Sequence, residues 1–256
     1  LEDDRAEDTK DWVQREVALT QTYLNQIPFR EEIRAQLKNI WNYEKISAPF
    51  KEGDYTYFYK NDGLQAQSVL YRTDKNGNTE VFLDPNKFSE KGTTSMSGLS
   101  FNKKGTLAAY NISEGGSDWQ KIVIINAITK EKIDETITDV KFSGASWLGD
   151  EGFFYSTYGK VQGSELSVKT DMHKVYFHKL GTKQSEDKHI IGDENFKRRY
   201  MNIGVSDDER FLILSAATAT NGNELYVKDL KNNTDWIALQ KGFDYNTDVL
   251  DTKGDF

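Results

Sequence analysis

The sequence predicts a mainly β chain of propeller-type blades preceded by a short α-helical segment. Three observations predict this fold class. A helical apolar period is confined to the first 43 residues, short β-rich runs follow Tyr43, and a repeat has anchor residues about 44 to 58 positions apart. With 256 residues, the chain is long enough to bury a sizeable core.

The first domain, residues 1–43, is predicted to be helical. Its apolar side chains step by three and four residues and so share one helix face: Val13, Val17, Thr20, Leu24 and Ile27, widened by Trp12, Leu19 and Tyr23. Pro28 ends this run and suits the first turn of a second helix. The buried side of that helix is expected to carry Ile33, Leu37, Ile40 and Trp41. We therefore expect two helices that pack through these faces and carry no chemistry.

The second domain, residues 44–256, is predicted to be a partial β-propeller. Turn signals such as Lys75-Asn-Gly-Asn78 separate a series of β-rich runs. The runs are residues 55–59, 68–72, 79–83, 107–111, 121–126, 152–156, 174–178, 211–216 and 224–229. No convincing helix appears after Trp41, which argues against parallel βαβ units.

A repeat organises these runs into blades. Its four copies are Leu99-Ser-Phe-Asn-Lys-Lys-Gly-Thr-Leu-Ala-Ala-Tyr110, Ala145-Ser-Trp-Leu-Gly-Asp-Glu-Gly-Phe-Phe-Tyr155, Gly204-Val-Ser-Asp-Asp-Glu-Arg-Phe-Leu-Ile-Leu214 and Val249-Leu-Asp-Thr-Lys-Gly-Asp-Phe256. Spacings between the turn residues are about 47, 58 and 44, near the blade length of roughly 40–50. A polar insert at residues 158–171 explains the long interval. Each copy has a small-residue strand, an acidic turn, a hydrophobic strand and then a third strand, which predicts about four four-stranded blades.

Composition excludes several classes of function. Acidic residues outnumber basic ones by 41 to 33, and the net charge of -8 argues against nucleic acid or an anionic membrane surface as the main partner. The absence of cysteine excludes disulfides, thiolate metal sites and cysteine nucleophiles. It leaves the compartment open between periplasm and cytoplasm. No apolar run of about 18 residues exists, so no membrane span is expected.

Residue types for catalysis are scarce. The three histidines have no metal-ligand spacing: His173, His178 and His189. Neither a GxSxG nucleophile elbow, a phosphate loop nor a dinucleotide fingerprint occurs. Ser117, in a Gly-Gly-Ser-Asp-Trp hairpin, is interpreted as a turn residue, and the pair Asp207-Asp208 as part of a blade turn. The residues alone thus predict a propeller module with no catalytic set, metal or cofactor of its own.

Seven segments, in order, resemble the prolyl oligopeptidase family of serine peptidases. They are Leu1-Glu-Asp with Trp12-Val13, Trp41-Asn-Tyr-Glu-Lys45 with Ser47-Ala-Pro-Phe-Lys51, Tyr59-Lys-Asn-Asp-Gly-Leu-Gln65 with Gln67-Ser-Val-Leu-Tyr71, Ser113-Glu-Gly-Gly-Ser-Asp-Trp119, Val140-Lys-Phe-Ser-Gly144 before Trp147, Gly152-Phe-Phe-Tyr-Ser156 and Leu180-Gly-Thr-Lys-Gln-Ser-Glu-Asp187. Each segment is weak on its own, but seven in family order span essentially the whole chain.

The resemblance implies a seven-bladed propeller that covers an α/β-hydrolase domain with a Ser-Asp-His triad. Members of the family cleave short peptides on the carboxyl side of proline, and the propeller helps to restrict entry to oligopeptides. This chain would supply about four blades and the helices that pack on the hydrolase domain. Because it ends at Phe256, where the repeat places the start of a strand, we expect a piece of a longer protein that does not hydrolyse peptides by itself.

Two site residues follow from the resemblance. Phe142 matches a propeller aromatic that lines the substrate pocket away from the scissile bond, where it would pack against an apolar side chain of the peptide. Asp118 matches a propeller acid that contacts an arginine of the hydrolase domain. Residues 217–223 correspond to a further pocket loop. They lack the charged or bulky residues often seen there, which puts a binding role for Thr220 in doubt.

Two other interpretations stay open from the sequence. One is the propeller of an oligopeptidase B-type peptidase, which cuts after basic residues. The segments Asn61-Asp-Gly-Leu-Gln65 and Leu180-Gly-Thr-Lys-Gln-Ser-Glu-Asp187 fit that type less well. The other is a non-enzymatic propeller that binds proteins. Under the first interpretation, the expected partners are short proline-containing peptides and the hydrolase domain of the same protein.

Overall fold

The computed structural model describes residues 3–159, 168 and 170–254. These residues divide into two compact units. Unit one comprises residues 3–51, 55–92 and 168, and unit two comprises residues 52–54, 93–159 and 170–254. The insert predicted at residues 158–171 falls largely outside the description, because 160–167 and 169 are not among the described residues.

Two helices open unit one, as the sequence predicts: α1 (Glu7–Asn25) and α2 (Arg30–Trp41). Pro28 lies before the first turn of α2, which begins two residues later. The expected burial of their apolar faces against each other is wrong, since no side chain of either helix is buried. Leu19 and Ile40 are 66% and 65% exposed. An apolar stripe marks a face that is suited to burial, but it does not specify the partner.

Unit one also contains an antiparallel sheet, blade 1. Its strands are β1 (Lys45–Ile46), β2 (Phe50–Glu52), β3 (Tyr55–Asn61), β4 (Val69–Thr73) and β5 (Thr79–Leu83), followed by a 3-10 turn (Pro85–Lys87). The fully buried ring of Tyr57 stacks on Phe50 at 5.6 Å and meets Phe82 edge-to-face at 5.1 Å. Buried Arg72 is neutralised by Glu80 at 2.6 Å. The contacts of Tyr57 with Phe50 and Phe82 show that aromatic packing makes the core of this blade.

Unit two contains three further blades of four strands each. A single pairing of Val140 with Thr157 joins blades 2 and 3 into one eight-stranded antiparallel sheet, and blade 4 is a separate four-stranded sheet. Blade 2 is β6 (Thr94–Phe101), β7 (Leu107–Glu114), β8 (Trp119–Asn126) and β9 (Ile137–Lys141). Blade 3 is β10 (Ser146–Leu148), β11 (Gly152–Thr157), β12 (Lys174–Lys179) and β13 (Lys188–Ile191), with 3-10 turns at Gln184–Glu186 and Glu194–Phe196. Blade 4 is β14 (Tyr200–Val205), β15 (Phe211–Ala217), β16 (Glu224–Asp229) and β17 (Ile237–Gln240).

The predicted fold class, mainly β with propeller blades after two helices, is confirmed. All nine β-rich runs are strands, and the small-residue strands of the repeat are β6, β10 and β14. The fourth strands of blades 2 to 4 were not located from the sequence. In each of these three blades a register shift also interrupts the pairing of the third and fourth strands.

Two apolar layers hold the blades of unit two together. The layer between blades 2 and 3 contains Ile122, Ile124, Trp147, Phe153 and Tyr155, and the layer between blades 3 and 4 contains Phe154, Val175, Met201, Leu212 and Leu214. Successive residues of β11 therefore face opposite layers. All six residues of β11 are buried, since both faces of blade 3 are covered.

The acidic turns of the repeat join neighbouring blades. The Asn102 side chain donates to the carboxylate of Asp150 at 2.7 Å, and the backbone N–H of Gly149 donates to Glu209 at 2.8 Å. The first bond links blade 2 to blade 3, and the second links blade 3 to blade 4. The repeated acids are thus structural, as the sequence analysis interpreted them.

His178, in β12, lies fully buried between two carboxylates. Its Nδ1 is 2.8 Å from Asp187 Oδ1, and its Nε2 is 3.4 Å from Asp134 Oδ2. Burial alone lowers the pKa of His178, but hydrogen bonds and charge attraction from Asp187 and Asp134 outweigh it and raise the pKa above the ordinary value of 6.5. Asp134 belongs to blade 2, so the charged imidazole ties blade 2 to blade 3.

The placement of His178 between Asp134 and Asp187 predicts a loss of stability as the pH rises above 6.5. Because the folded-state pKa of His178 is raised, its stabilisation is complete below pH 6.5 and is lost as the pH rises through the folded-state value. We expect the unfolding free energy to fall on this alkaline side. His178→Gln removes the titrating group and leaves two buried carboxylates without a cation, which destabilises the protein by roughly 3–5 kcal/mol.

Denaturant unfolding between pH 6 and 9 measures both effects. His189→Gln is the matched control, because His189 is an exposed histidine in the same blade. An alkaline decline of equal size in the His178→Gln variant would show that another group causes it.

Candidate functional site

Blades 2 and 4 bring the ends of their strands together at one edge of unit two. Trp119 begins β8 and Lys141 ends β9, and the two are paired directly in the antiparallel ladder. Opposed residues of such a ladder share one face, so their side chains meet. Tyr200 begins β14. Together with Asp118, just before β8, and Phe142, just after β9, these residues are called the Phe142 cluster.

Lys141 contacts three other members of the Phe142 cluster electrostatically. Its ammonium lies 3.7 Å from a carboxylate oxygen of Asp118, 5.2 Å from the ring centre of Trp119 and 5.1 Å from that of Phe142. Both ring distances lie within the cation–π range of about 6 Å. The Lys141 side chain is only 14% exposed, whereas that of Asp118 is 66% exposed. The lysine is thus fixed in place, while the carboxylate remains open to a second partner.

Phe142 is an exposed aromatic residue in a left-handed backbone conformation. It is 49% exposed, and its ring meets that of Tyr200 edge-to-face at 5.5 Å. Its φ of +55° costs a residue with a Cβ about 1–2 kcal/mol. A side chain that filled the blade core would not be this exposed.

Hydrogen bonds on both sides of Phe142 hold this conformation. The Asn111 amide donates to the carbonyl of Ser143 at 2.6 Å, and the Ser156 N–H donates to the Ser143 hydroxyl at 2.8 Å. On the other side, His173 Nε2 lies 2.9 Å from the carbonyl oxygen of Lys141. Strained backbone persists only where its surroundings over-determine it. Blades 2 and 3 both supply those surroundings.

Residues 217–223 comprise the last residue of β15 and the connection to β16, beside the Phe142 cluster. Ala217 is paired with Tyr200, and this pairing places the start of the turn next to an exposed ring. Asn223 anchors the other end by exchanging hydrogen bonds with the backbone of Thr247 at 2.7 and 2.8 Å. Thr220 lies exposed between these anchors.

The histidines of this chain do not form a catalytic triad among the described residues. His178 and Asp187 have the geometry of an acid–imidazole pair, but the second ring nitrogen faces the carboxylate of Asp134 instead of a serine hydroxyl. His173 is engaged by two backbone groups, and His189 packs against the ring of Tyr176. Neither arrangement activates a nucleophile.

Other candidate sites of the sequence have structural roles. The Ser117 hydroxyl accepts the backbone N–H of Trp119 at 3.1 Å, as a turn residue does. Asp208 accepts hydrogen bonds from the Ser206 hydroxyl at 2.6 Å and the Arg210 N–H at 3.1 Å. Within the described ranges, no cluster of metal-ligating side chains occurs, and no helix is both long and apolar enough to cross a bilayer.

The fold brings the two site residues of the sequence analysis together. Phe142 and Asp118 belong to separate strand connections, and both contact Lys141. The sequence analysis missed Lys141 and Tyr200 as members of the cluster. Pairing β8 with β9 could have revealed Lys141, but no local pattern marks Tyr200, because its contact crosses from one blade to another.

A family model described as the prolyl oligopeptidase N-terminal beta-propeller domain matches residues 1–256. The chain is 71% identical to the prolyl endopeptidase of Elizabethkingia meningoseptica over its whole length and covers 36% of that protein. It is 30% identical to prolyl oligopeptidase A of Amanita bisporigera, with 97% of the chain and 37% of that protein aligned. The chain thus spans little more than a third of these curated relatives.

Solved structures agree with the sequence matches. Prolyl oligopeptidase B of Galerina marginata, bound to a 35mer hydrolysis and macrocyclization substrate, aligns with a TM-score of 0.84 at 25% identity over 97% of this chain and 38% of its own. Oligopeptidase B of Leishmania major aligns with a TM-score of 0.74 at 17% identity over 92% of this chain and 33% of its own, which shows the fold alone. The chain therefore belongs to the prolyl oligopeptidase family, whose N-terminal β-propeller domain it represents.

Proposed function

We propose that this chain is the helical and propeller part of a serine peptidase that cleaves short peptides after proline. The observation that carries the proposal is the 71% identity to a prolyl endopeptidase over all 256 residues. The Ser-Asp-His triad belongs, in this proposal, to an α/β-hydrolase domain of the same protein. The propeller restricts entry to oligopeptides and lends side chains to the substrate pocket.

Phe142 contributes an apolar contact for a peptide side chain. Its exposed ring and that of Tyr200 present an aromatic surface, and the fixed backbone keeps this surface in place. Aromatic residues on a rigid scaffold make effective binding contacts, because little side-chain freedom is lost when the ligand arrives. The substrate-bound Galerina relative supports a peptide as the ligand class.

Asp118 contributes an interdomain contact. Its ion pair with Lys141 is long, at 3.7 Å, and largely exposed, and such pairs add little free energy. An arginine of the hydrolase domain could therefore approach the carboxylate without a large cost. The two-pronged guanidinium would form shorter, stronger hydrogen bonds than the lysine does.

The helices α1 and α2 dock on the hydrolase domain. Their apolar residues are exposed in this chain, Leu37 at 50% and Trp41 at 58% among them. An exposed apolar stripe of this extent is typical of a surface that another domain covers. In this proposal the hydrolase domain is the packing partner that the two helices do not provide for each other.

An oligopeptidase B-type specificity and a non-enzymatic binding role are the competing functions. We expect the complete protein to cleave chromogenic peptides after proline, to leave matched peptides with arginine at that position intact, and to be blocked by a serine-reactive inhibitor. Preferential cleavage after arginine would establish the oligopeptidase B alternative. Absence of any cleavage by folded, complete protein would favour a binding module.

The two site residues are expected to differ in their kinetic effects. Phe142→Ala should raise KM roughly tenfold for peptides with a bulky apolar side chain near the proline, and should leave glycine analogues unchanged. Asp118→Asn should lower kcat/KM for peptides with a bulky apolar side chain and for glycine analogues alike, because Asp118 acts through the hydrolase domain. Steady-state kinetics on paired leucine and glycine peptides measure both effects.

Each variant has a matched control. Ile237→Ala removes an exposed apolar side chain from the outer strand of blade 4, and Glu114→Gln neutralises a carboxylate paired with Lys121 in the hairpin that carries Asp118. Both controls should behave as the unmodified protein does. A Phe142→Ala effect that is equal for leucine and glycine peptides would contradict the pocket assignment.

A charged substitution on α2 tests whether the helices dock on the hydrolase domain. Leu37→Asp places a carboxylate in the proposed interface and forfeits about 2 kcal/mol of apolar burial. The apparent Tm of the complete protein should fall by several degrees more than in Gln36→Asp, which introduces the same residue on the same exposed helix. Equal Tm values for the two variants would mean that the stripe stays exposed in the complete protein.

A further inference from the structure

His173 is a buried histidine at the junction of three blades. It directly precedes β12 of blade 3 and is 1% exposed. Its ring stacks on Tyr158, with centroids 4.4 Å apart and planes 17° from parallel. The stack fixes the plane of the imidazole, so the directions of its two nitrogens are fixed as well.

The partners of the two nitrogens determine the tautomer of His173. The backbone N–H of Met201, in blade 4, donates to Nδ1 at 3.0 Å, so Nδ1 carries no proton. Nε2 then holds the proton and donates it to the carbonyl of Lys141, in blade 2, at 2.9 Å. Burial lowers the pKa of His173 to about 4, which keeps the ring neutral and able to accept and donate at once.

Both bonded peptide groups adjoin the exposed rings of the Phe142 cluster. The Lys141 carbonyl belongs to the peptide unit that leads into Phe142, and the Met201 N–H belongs to the unit that leaves Tyr200. One imidazole therefore spans the backbone between the two rings, which meet edge-to-face at 5.5 Å. A rotation or loss of the imidazole releases both anchor points together.

We propose that His173 is a positioning residue that sets the spacing of Phe142 and Tyr200 and so determines which apolar peptide side chains bind there. The proposal rests on the proposed function. His173 touches no substrate itself, and it acts through the backbone of the two aromatic residues. A histidine that merely filled the core would affect all substrates, or only stability.

The test is a double-mutant cycle in the complete protein. His173→Phe keeps the ring volume and the stack on Tyr158 but removes both hydrogen bonds. We expect KM to rise roughly fivefold for leucine and phenylalanine peptides, with kcat and all constants for glycine peptides unchanged. In a Phe142→Ala background, His173→Phe should have no further effect on KM, because its target is gone.

Each outcome of the cycle decides one question. If His173→Phe acts equally in both backgrounds or equally on glycine peptides, His173 is only a structural residue. If Phe142→Ala changes KM and His173→Phe does not, this inference fails and the pocket assignment stands. If Phe142→Ala changes nothing, the pocket assignment fails, and the inference fails with it. His189→Phe is the matched control on an outer strand of the same blade.

A spectroscopic measurement covers the case in which His173→Phe does not fold. Nitrogen NMR of histidine-labelled protein should show a neutral ring with its proton on Nε2 at pH 7 whose signal is absent from His173→Gln. A His173 ring that is charged at pH 7, or that carries its proton on Nδ1, cannot accept from Met201 and would overturn the proposal.

Discussion

The structure of unit two depends on one constraint: a flat β-blade has two faces, and an apolar face is stable only when a neighbouring blade covers it. Blade 3 meets this constraint on both sides, with Phe153 turned to one apolar layer and Phe154 to the other. Blade 4 is covered on the side of blade 3, and β15 accordingly alternates between buried and half-buried residues. Because the layers fix the blades against each other, the strand ends that carry the Phe142 cluster come from different blades and still meet.

Polar groups fix the position of one blade against the next, which apolar packing alone does not. The layers alone allow blades to slide, whereas His178 and His173 each bond to groups on a neighbouring blade in fixed geometry. The two histidines do so in opposite charge states. His178 is held between carboxylates, which favour imidazolium, and His173 is held between a backbone donor and a backbone acceptor, which require the neutral ring.

The sequence was sufficient for the fold class and insufficient for the contacts between blades. Period-two runs located strands such as β15, because its neighbours within the sheet are local and pair with it in an unbroken register. The fourth strands β13 and β17 escaped because each has only four residues, the shortest run in which alternation can be recognised. Phe142 and Asp118 came from family resemblance, and Tyr200 could not have been found, since its partner lies in another blade. The helices show the converse limit: their period was read correctly, but none of their side chains is buried in the part of the chain that the structure describes.

The strand β11 shows how little of the pairing register depends on hydrophobicity. In a sheet with one solvent-exposed face, a slip of the register by one residue exposes apolar side chains and is therefore strongly disfavoured. Both faces of β11 are buried, so a slip by one residue would only place Phe153 in the position of Phe154 and would expose no apolar side chain. Two other features distinguish the correct register. The Tyr155 hydroxyl reaches Asp187 at 2.7 Å, and at Gly152 any Cβ would lie 2.0 Å from the carbonyl oxygen of His178. The register of β11, all six of whose residues are buried, thus depends on one phenolic oxygen and on the absence of one Cβ atom.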